Sequence, residues 1–138
     1  TKSEKFITCF IAIYNSKTRM LTYVNAGHNP SILFHNGEIQ LLENGCTILG
    51  MFDPLPYITY GEVKVPEGAI IVNYTDGLSE AMNNEGKLFE LEGLIDFVHK
   101  NNKLSLMDFN TKLIDTVITF KQDTDFDDDI TLLTIRFK

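Results

Sequence analysis

Hydrophobic positions recur with a period of two along the first half of the chain and take up helical spacing after residue 78. Ile7, Cys9, Ile11 and Ile13 alternate with Thr8, Phe10, Ala12 and Tyr14, which predicts a strand with one clearly apolar face. Asn15-Ser16-Lys17-Thr18 is turn chemistry, and Met20 to Asn25 returns as a second strand. Ile32-Leu33-Phe34 and Ile39-Gln40-Leu41-Leu42 flank Asn36-Gly37, a pair suited to the positive φ angles of a type I′ turn. That combination predicts a hairpin. Gly50, Pro54 and Pro56 make residues 45–56 irregular. Tyr57 to Val65 and Ala69 to Tyr74 then read as two further strands joined by a Pro66-Glu67-Gly68 turn.

Leu78 to Met82 predicts a short turn of helix, closed by Asn83-Asn84-Glu85-Gly86. Leu91, Leu94, Ile95 and Val98 lie at helical spacing, which predicts an amphipathic helix over residues 88–100. Ser105 can cap a second helix carrying Leu106, Phe109, Leu113, Val117 and Phe120. Ile130 to Phe137 closes the chain as an alternating strand. Antiparallel strands, then two helices, then a returning strand describe an α+β layered fold, a single domain over residues 1–138. The last strand has to join the sheet of the first half. Asp128 can therefore lie beside Asp76, although 52 residues separate them.

Composition narrows the function classes. The 138 residues carry 12 basic and 19 acidic side chains, a net charge of −7. No Lys/Arg cluster offsets the acidic segments, which excludes a nucleic-acid or anionic-membrane surface. No apolar run approaches the roughly 20 residues of a membrane helix. Thr1-Lys2-Ser3-Glu4-Lys5 is polar and mixed in charge, unlike a signal peptide. Cys9 and Cys46 sit among apolar or small neighbours and read as buried reduced thiols, as in a cytoplasmic protein. A cysteine-based phosphatase needs Arg six positions after its Cys, where this chain has Asn15 and Phe52. Because a strand pattern starts almost at once, at Phe6, the chain reads as a piece of a longer protein.

Two acidic strings remain as candidate chemistry. Tyr74-Thr75-Asp76-Gly77 ends a buried strand, and taken alone Asp76 reads as a turn residue bonding its own backbone. Asp123, Asp125, Asp127, Asp128 and Asp129 place five carboxylates in seven residues. They read either as a solvated loop or as ligands for a hard cation. An EF-hand is excluded, since its sixth and twelfth positions hold Asp128 and Thr134 in place of Gly and Glu. Arg19 and Arg136 are the only arginines available to compensate the cluster. His28 lies in an Ala26-Gly27-His28-Asn29-Pro30 turn, where it reads as a general acid, a metal ligand or a structural His bonded to backbone. No Ser or Cys nucleophile accompanies it, and His35 and His99 read as surface residues.

Four strings occur in order: Asn25-Ala26-Gly27-His28-Asn29-Pro30, Leu49-Gly50-Met51-Phe52, Tyr74-Thr75-Asp76-Gly77-Leu78-Ser79-Glu80-Ala81 and Asp128-Asp129-Ile130-Thr131-Leu132-Leu133. Together they resemble the stage II sporulation protein E-like branch of the PPM (type 2C) metal-dependent serine/threonine phosphatases, from Phe6 to the C-terminus. The resemblance implies a β-sandwich of two antiparallel sheets flanked by helices, with its N-terminal portion missing here. It implies two Mn²⁺ or Mg²⁺ ions, of which Asp76 and Asp128 would ligate one, with Gly77, Asp129 and His28 shaping the site. It further implies a phosphorylated regulatory protein of the anti-sigma antagonist type as substrate.

Two departures accompany the resemblance. The family's upstream Gly-Asp-x-x-Asp and Gly-Asp-x-x-Gly-x-Gly strings, which supply the remaining carboxylates, do not occur in these residues. Relatives usually place Gly directly after the Phe that is Phe89 here, whereas this chain reads Glu90-Leu91-Glu92-Gly93. The chain alone is therefore expected to be inactive. Uncovered sheet edges predict a homodimer, with strand exchange as one route. The competing reading is a non-catalytic regulatory or binding module that keeps the fold.

Overall fold

The computed structural model describes residues 5–138. Its strands are β1 (Cys9–Asn15), β2 (Met20–Ala26), β3 (Ser31–His35), β4 (Glu38–Leu42), β5 (Gly45–Cys46), β6 (Gly61–Lys64), β7 (Ile70–Tyr74) and β8 (Leu132–Arg136). Its helices are α1 (Asp76–Ser79), α2 (Glu90–Asn101) and α3 (Leu106–Lys121). One sheet is built on β2, with β1 along one side and β5 and β6 on the other. The second runs β4-β3-β7-β8. The expected α+β class, with sheets flanked by helices, is what forms.

Alternation along the strands explains the layering. In β3 and β7, Ile32, Phe34, Ile70, Val72 and Tyr74 face a core shared with Leu78, Leu94, Phe97, Val98, Phe109, Leu113 and Val117 of the helices. The intervening Leu33 and Ile71, with Leu42 of β4, face the other sheet, against Leu21, Tyr23 and Val65. Each of the wholly buried Phe109, Leu113 and Val117 contributes about 1.5–3 kcal/mol. In β1, Phe10 and Tyr14 pack inward, while Ile11 and Ile13 remain 60% and 74% exposed on the outer face. That face is apolar on β1 and β2 and turns polar at Glu62 and Lys64 of β6.

The hairpin forms as expected, with Asn36 at φ 49° and Gly37 at φ 84° and Ile32–Leu41, Phe34–Ile39 in register. Ser105 caps α3, its hydroxyl accepting from the Asp108 N–H at 3.1 Å. Several expectations are corrected. The strand expected from Tyr57 is regular only over Gly61–Lys64, although the Thr59 N–H still reaches the Gly45 carbonyl at 3.0 Å. β5 pairs parallel to β2, an exception to the antiparallel expectation set by the short return of the chain along β2. The helix expected from Leu78 begins at Asp76. Cys9 and Cys46 are free thiols but half-buried rather than buried, because both sit near the rim of the first sheet. His35 is half-buried rather than a surface residue, whereas His99 is exposed as expected, its ring edge-on to Phe34 at 5.5 Å. Among the described residues no helix is long and apolar enough to cross a membrane. The polar opening Thr1–Glu4 lies outside those residues.

Candidate metal centre

β7 is buried along Ile70, Ile71 and Val72, and this anchored strand delivers Thr75 in an extended conformation at its end. Antiparallel pairing puts β8 beside it, with Tyr74 opposite Leu132. Beyond the ladder, Thr75 joins the two chain segments three times. Its N–H donates to the Thr131 carbonyl at 3.1 Å, and its hydroxyl accepts from the Thr131 N–H at 2.9 Å. The same hydroxyl donates to the Asp129 carbonyl at 3.2 Å. Asp76 follows immediately and opens α1, its carbonyl accepting from the Glu80 N–H at 2.8 Å.

Gly77 sits where the two segments touch. A Cβ there would lie 2.4 Å from the Asp129 carbonyl oxygen and 2.8 Å from that of Asp128, so only glycine lets the acidic loop approach α1. The distant Asp76 and Asp128 strings are thereby brought into one neighbourhood. Asp76, Asp128 and Asp129 are all exposed. One Asp128 carboxylate oxygen accepts from the Asp129 N–H at 2.8 Å; the Asp76 carboxylate has no hydrogen bond among the described residues. Tyr74, 4% exposed, has its phenol pushed up to about 12 by burial and, secondarily, by the negative charge of Asp76.

The acidic loop is moored at its start. The Thr124 hydroxyl donates to the Met82 carbonyl at 2.6 Å, and Lys121 bonds the Thr124 carbonyl and lies over the Phe126 ring. No carboxylate of the loop is in an ion pair among the described residues. Among the described residues the one such pair joins Lys100 to Asp96 at 2.6 Å. Arg19 donates to the Val65 carbonyl, and Arg136 to those of Asn102 and Leu104. The arginines do not neutralise the loop. Exposed, uncompensated carboxylates beside Asp76 are the oxygen donors that hard divalent cations take. Among the described residues, however, no three His, Cys, Asp or Glu side chains converge as a metal group. The residues fit one side of a cation site.

His28 is held by local structure. Asn25, 5% exposed, accepts the His28 N–H at 2.8 Å through its side-chain oxygen and donates to the Asn29 and Leu42 carbonyls at 3.4 Å. The His28 Nδ1 lies 3.2 Å from the Asn29 carbonyl. Its ring lines a cavity with Phe10, Asn73, Tyr74, Thr75, Thr131 and Leu133, between the two sheets. Thr75, Thr131 and Asn25 were not singled out from the sequence. Their signal was there: Thr75 directly precedes Asp76, Thr131 follows Asp129 by two residues, and Asn25 heads the His28 turn.

The family model for stage II sporulation protein E (SpoIIE) matches residues 1–138. The chain belongs to the SpoIIE family. It is 28% identical over 138 residues to the phosphoserine phosphatase RsbU of Bacillus subtilis, covering 99% of this chain and 40% of RsbU. Among solved structures, the SiaA-PP2C domain of Pseudomonas aeruginosa superposes with a TM-score of 0.84 at 20% identity, over 97% of this chain and 53% of that one. The SpoIIE phosphatase domain of Bacillus subtilis, presoaked with Mn, gives 0.72 at 15% identity, over 94% of this chain and 56% of that one. This SpoIIE-family chain thus has the PP2C phosphatase fold, and it spans well under two thirds of each of these relatives.

Proposed function

We propose that this SpoIIE-family chain is the C-terminal part of a metal-dependent protein serine/threonine phosphatase acting in the cytoplasm. Its substrate is a phosphoserine or phosphothreonine on a regulatory protein of the anti-sigma antagonist type. The observation that carries this reading is the contact of Gly77 with the Asp128 and Asp129 backbone, which joins the two acidic strings at one strand end. The names of RsbU and of the SiaA-PP2C domain agree with it.

In this reading Asp76 and Asp128 hold a Mn²⁺ or Mg²⁺ ion together with carboxylates from outside this chain. Gly77 and Asp129 set their spacing, and His28 shapes the neighbouring cavity. A divalent cation bound there lowers the pKa of water and neutralises phosphoryl oxygens. The chain's own work is positional. Thr75 ties Asp76 to the acidic loop, and the mooring at Thr124 limits the loop's movement. With two ligands, the isolated chain is inactive.

The test is Mn²⁺-dependent release of phosphate from a phosphoserine peptide by the complete protein. Asp76→Asn is expected to reduce kcat at least tenfold and to weaken Mn²⁺ binding measured by calorimetry. Full activity in that variant would sink the assignment. A complete protein that binds its regulatory partner but hydrolyses nothing would be the non-catalytic module instead.

A further inference from the structure

The histidine turn has more structure than a cavity wall requires. The Asn29 carbonyl can only accept, so the 3.2 Å contact places a proton on His28 Nδ1 and leaves Nε2 to the cavity side of the ring. Nε2 has no hydrogen-bond partner among the described residues. The turn that carries the ring is fixed by Asn25, itself buried and bonded at three points, to the His28 backbone N–H and the Asn29 and Leu42 carbonyls. The cavity, about 230 Å³, reaches Thr75 and Thr131, the residues that adjoin Asp76 and the acidic loop. An imidazole held through Nδ1, with Nε2 free, thus shares a cavity with the strand ends that present the carboxylates.

We propose that His28 is the general acid that protonates the seryl or threonyl oxygen as it leaves phosphorus. This rests on the phosphatase reading above. Water forms the new bond to phosphorus, and the bond from phosphorus to the seryl oxygen breaks with its electron pair on that oxygen. The imidazolium Nε2–H transfers its proton there, releasing a neutral alcohol. The attacking water gives up a proton to solvent, and solvent restores the proton on Nε2. The Asn29 carbonyl stabilises the imidazolium through Nδ1–H throughout, so the transferable proton is always the one on the cavity side.

Leaving-group chemistry tests this, because p-nitrophenolate departs without being protonated and a serine alkoxide does not. The complete protein is assayed with Mn²⁺ on a phosphoserine peptide and on p-nitrophenyl phosphate. His28→Asn, whose amide can keep the contact made by Nδ1, and His28→Gln are compared with the wild type. Both variants are expected to lose roughly 100-fold in kcat on the peptide, as a removed general acid does, with KM little changed. On the aryl phosphate the loss should be at least tenfold smaller. Equal losses on both substrates would make His28 a structural residue, and undiminished peptide turnover would make it dispensable; either overturns the proposal while leaving the phosphatase reading standing. A wild-type protein inert on both substrates would overturn the reading and this proposal together.

Discussion

Glu90 opens α2 with φ at +61°, in the left-handed region where a side chain carries a steric cost of about 1–2 kcal/mol. The resemblance read from the sequence sets glycine at this place, directly after the Phe, and a φ of this sign is one that glycine adopts without that cost. Glu90→Gly is expected to stabilise the fold by about 1 kcal/mol, read as a higher urea midpoint. An unchanged or lower midpoint would count against strain at Glu90. Tyr74 gives a second residue-scale expectation. Its phenol is raised from the usual 10.0 to about 12, so the fold favours the neutral form. Its contribution to stability is full below pH 10 and is lost as pH rises towards 12. The stability gap between wild type and Tyr74→Phe should therefore narrow across that window; a gap independent of pH would contradict the burial of the phenol.

Among elements, the decisive contact is between α1 and the acidic loop. Gly77→Ala would force a Cβ against two carbonyl oxygens, so the loop must back away from Asp76. A cost of about 1–3 kcal/mol is expected, the scale of overpacking in a tight site. Mn²⁺ affinity of the complete protein should fall with it, and unaltered Mn²⁺ affinity would show that the spacing is not set here. The regular elements were legible because periodicity and turn chemistry are local: the Asn36-Gly37 hairpin, the Ser105 cap and the alternation in β7 needed only near neighbours. The misses were of another kind. β5 exists because Gly45 can lie against Asn25, where a Cβ would meet the carbonyl oxygen at 1.7 Å, and no period announces that approach. The strand expected from Tyr57 is shortened because Tyr57, Ile58 and Tyr60 find no regular partner strand and stay exposed. For the candidate site, the acids were visible and the Thr75–Thr131 seam was not, since a hydroxyl bonding across 56 residues leaves no spacing to detect.

At the scale of the molecule, the two faces of the first sheet differ. Its inner side is filled by Phe10, Tyr14, Leu21 and Tyr23, while Ile7, Ile11 and Ile13 stand 62%, 60% and 74% exposed along one outer stripe. β1 also pairs with β2 on one side only. An apolar edge of this kind favours self-association, and it is where the homodimer expected from the sequence would form. In light scattering at tens of micromolar the chain should behave as a dimer, and Ile11→Lys with Ile13→Lys should shift it to monomer. A wild-type monomer would dismiss the edge as an association surface.

The position of β8 in the second sheet has a kinetic consequence. Asp76 leaves β7 before either long helix has been laid down, whereas Asp128 arrives only after α3 ends and the last strand has found its neighbour. Closing a loop of that length is slow relative to local helix and hairpin formation. The carboxylate pair is therefore expected to come together only as β8 docks, so that cation binding by the complete protein should report whether that docking has occurred.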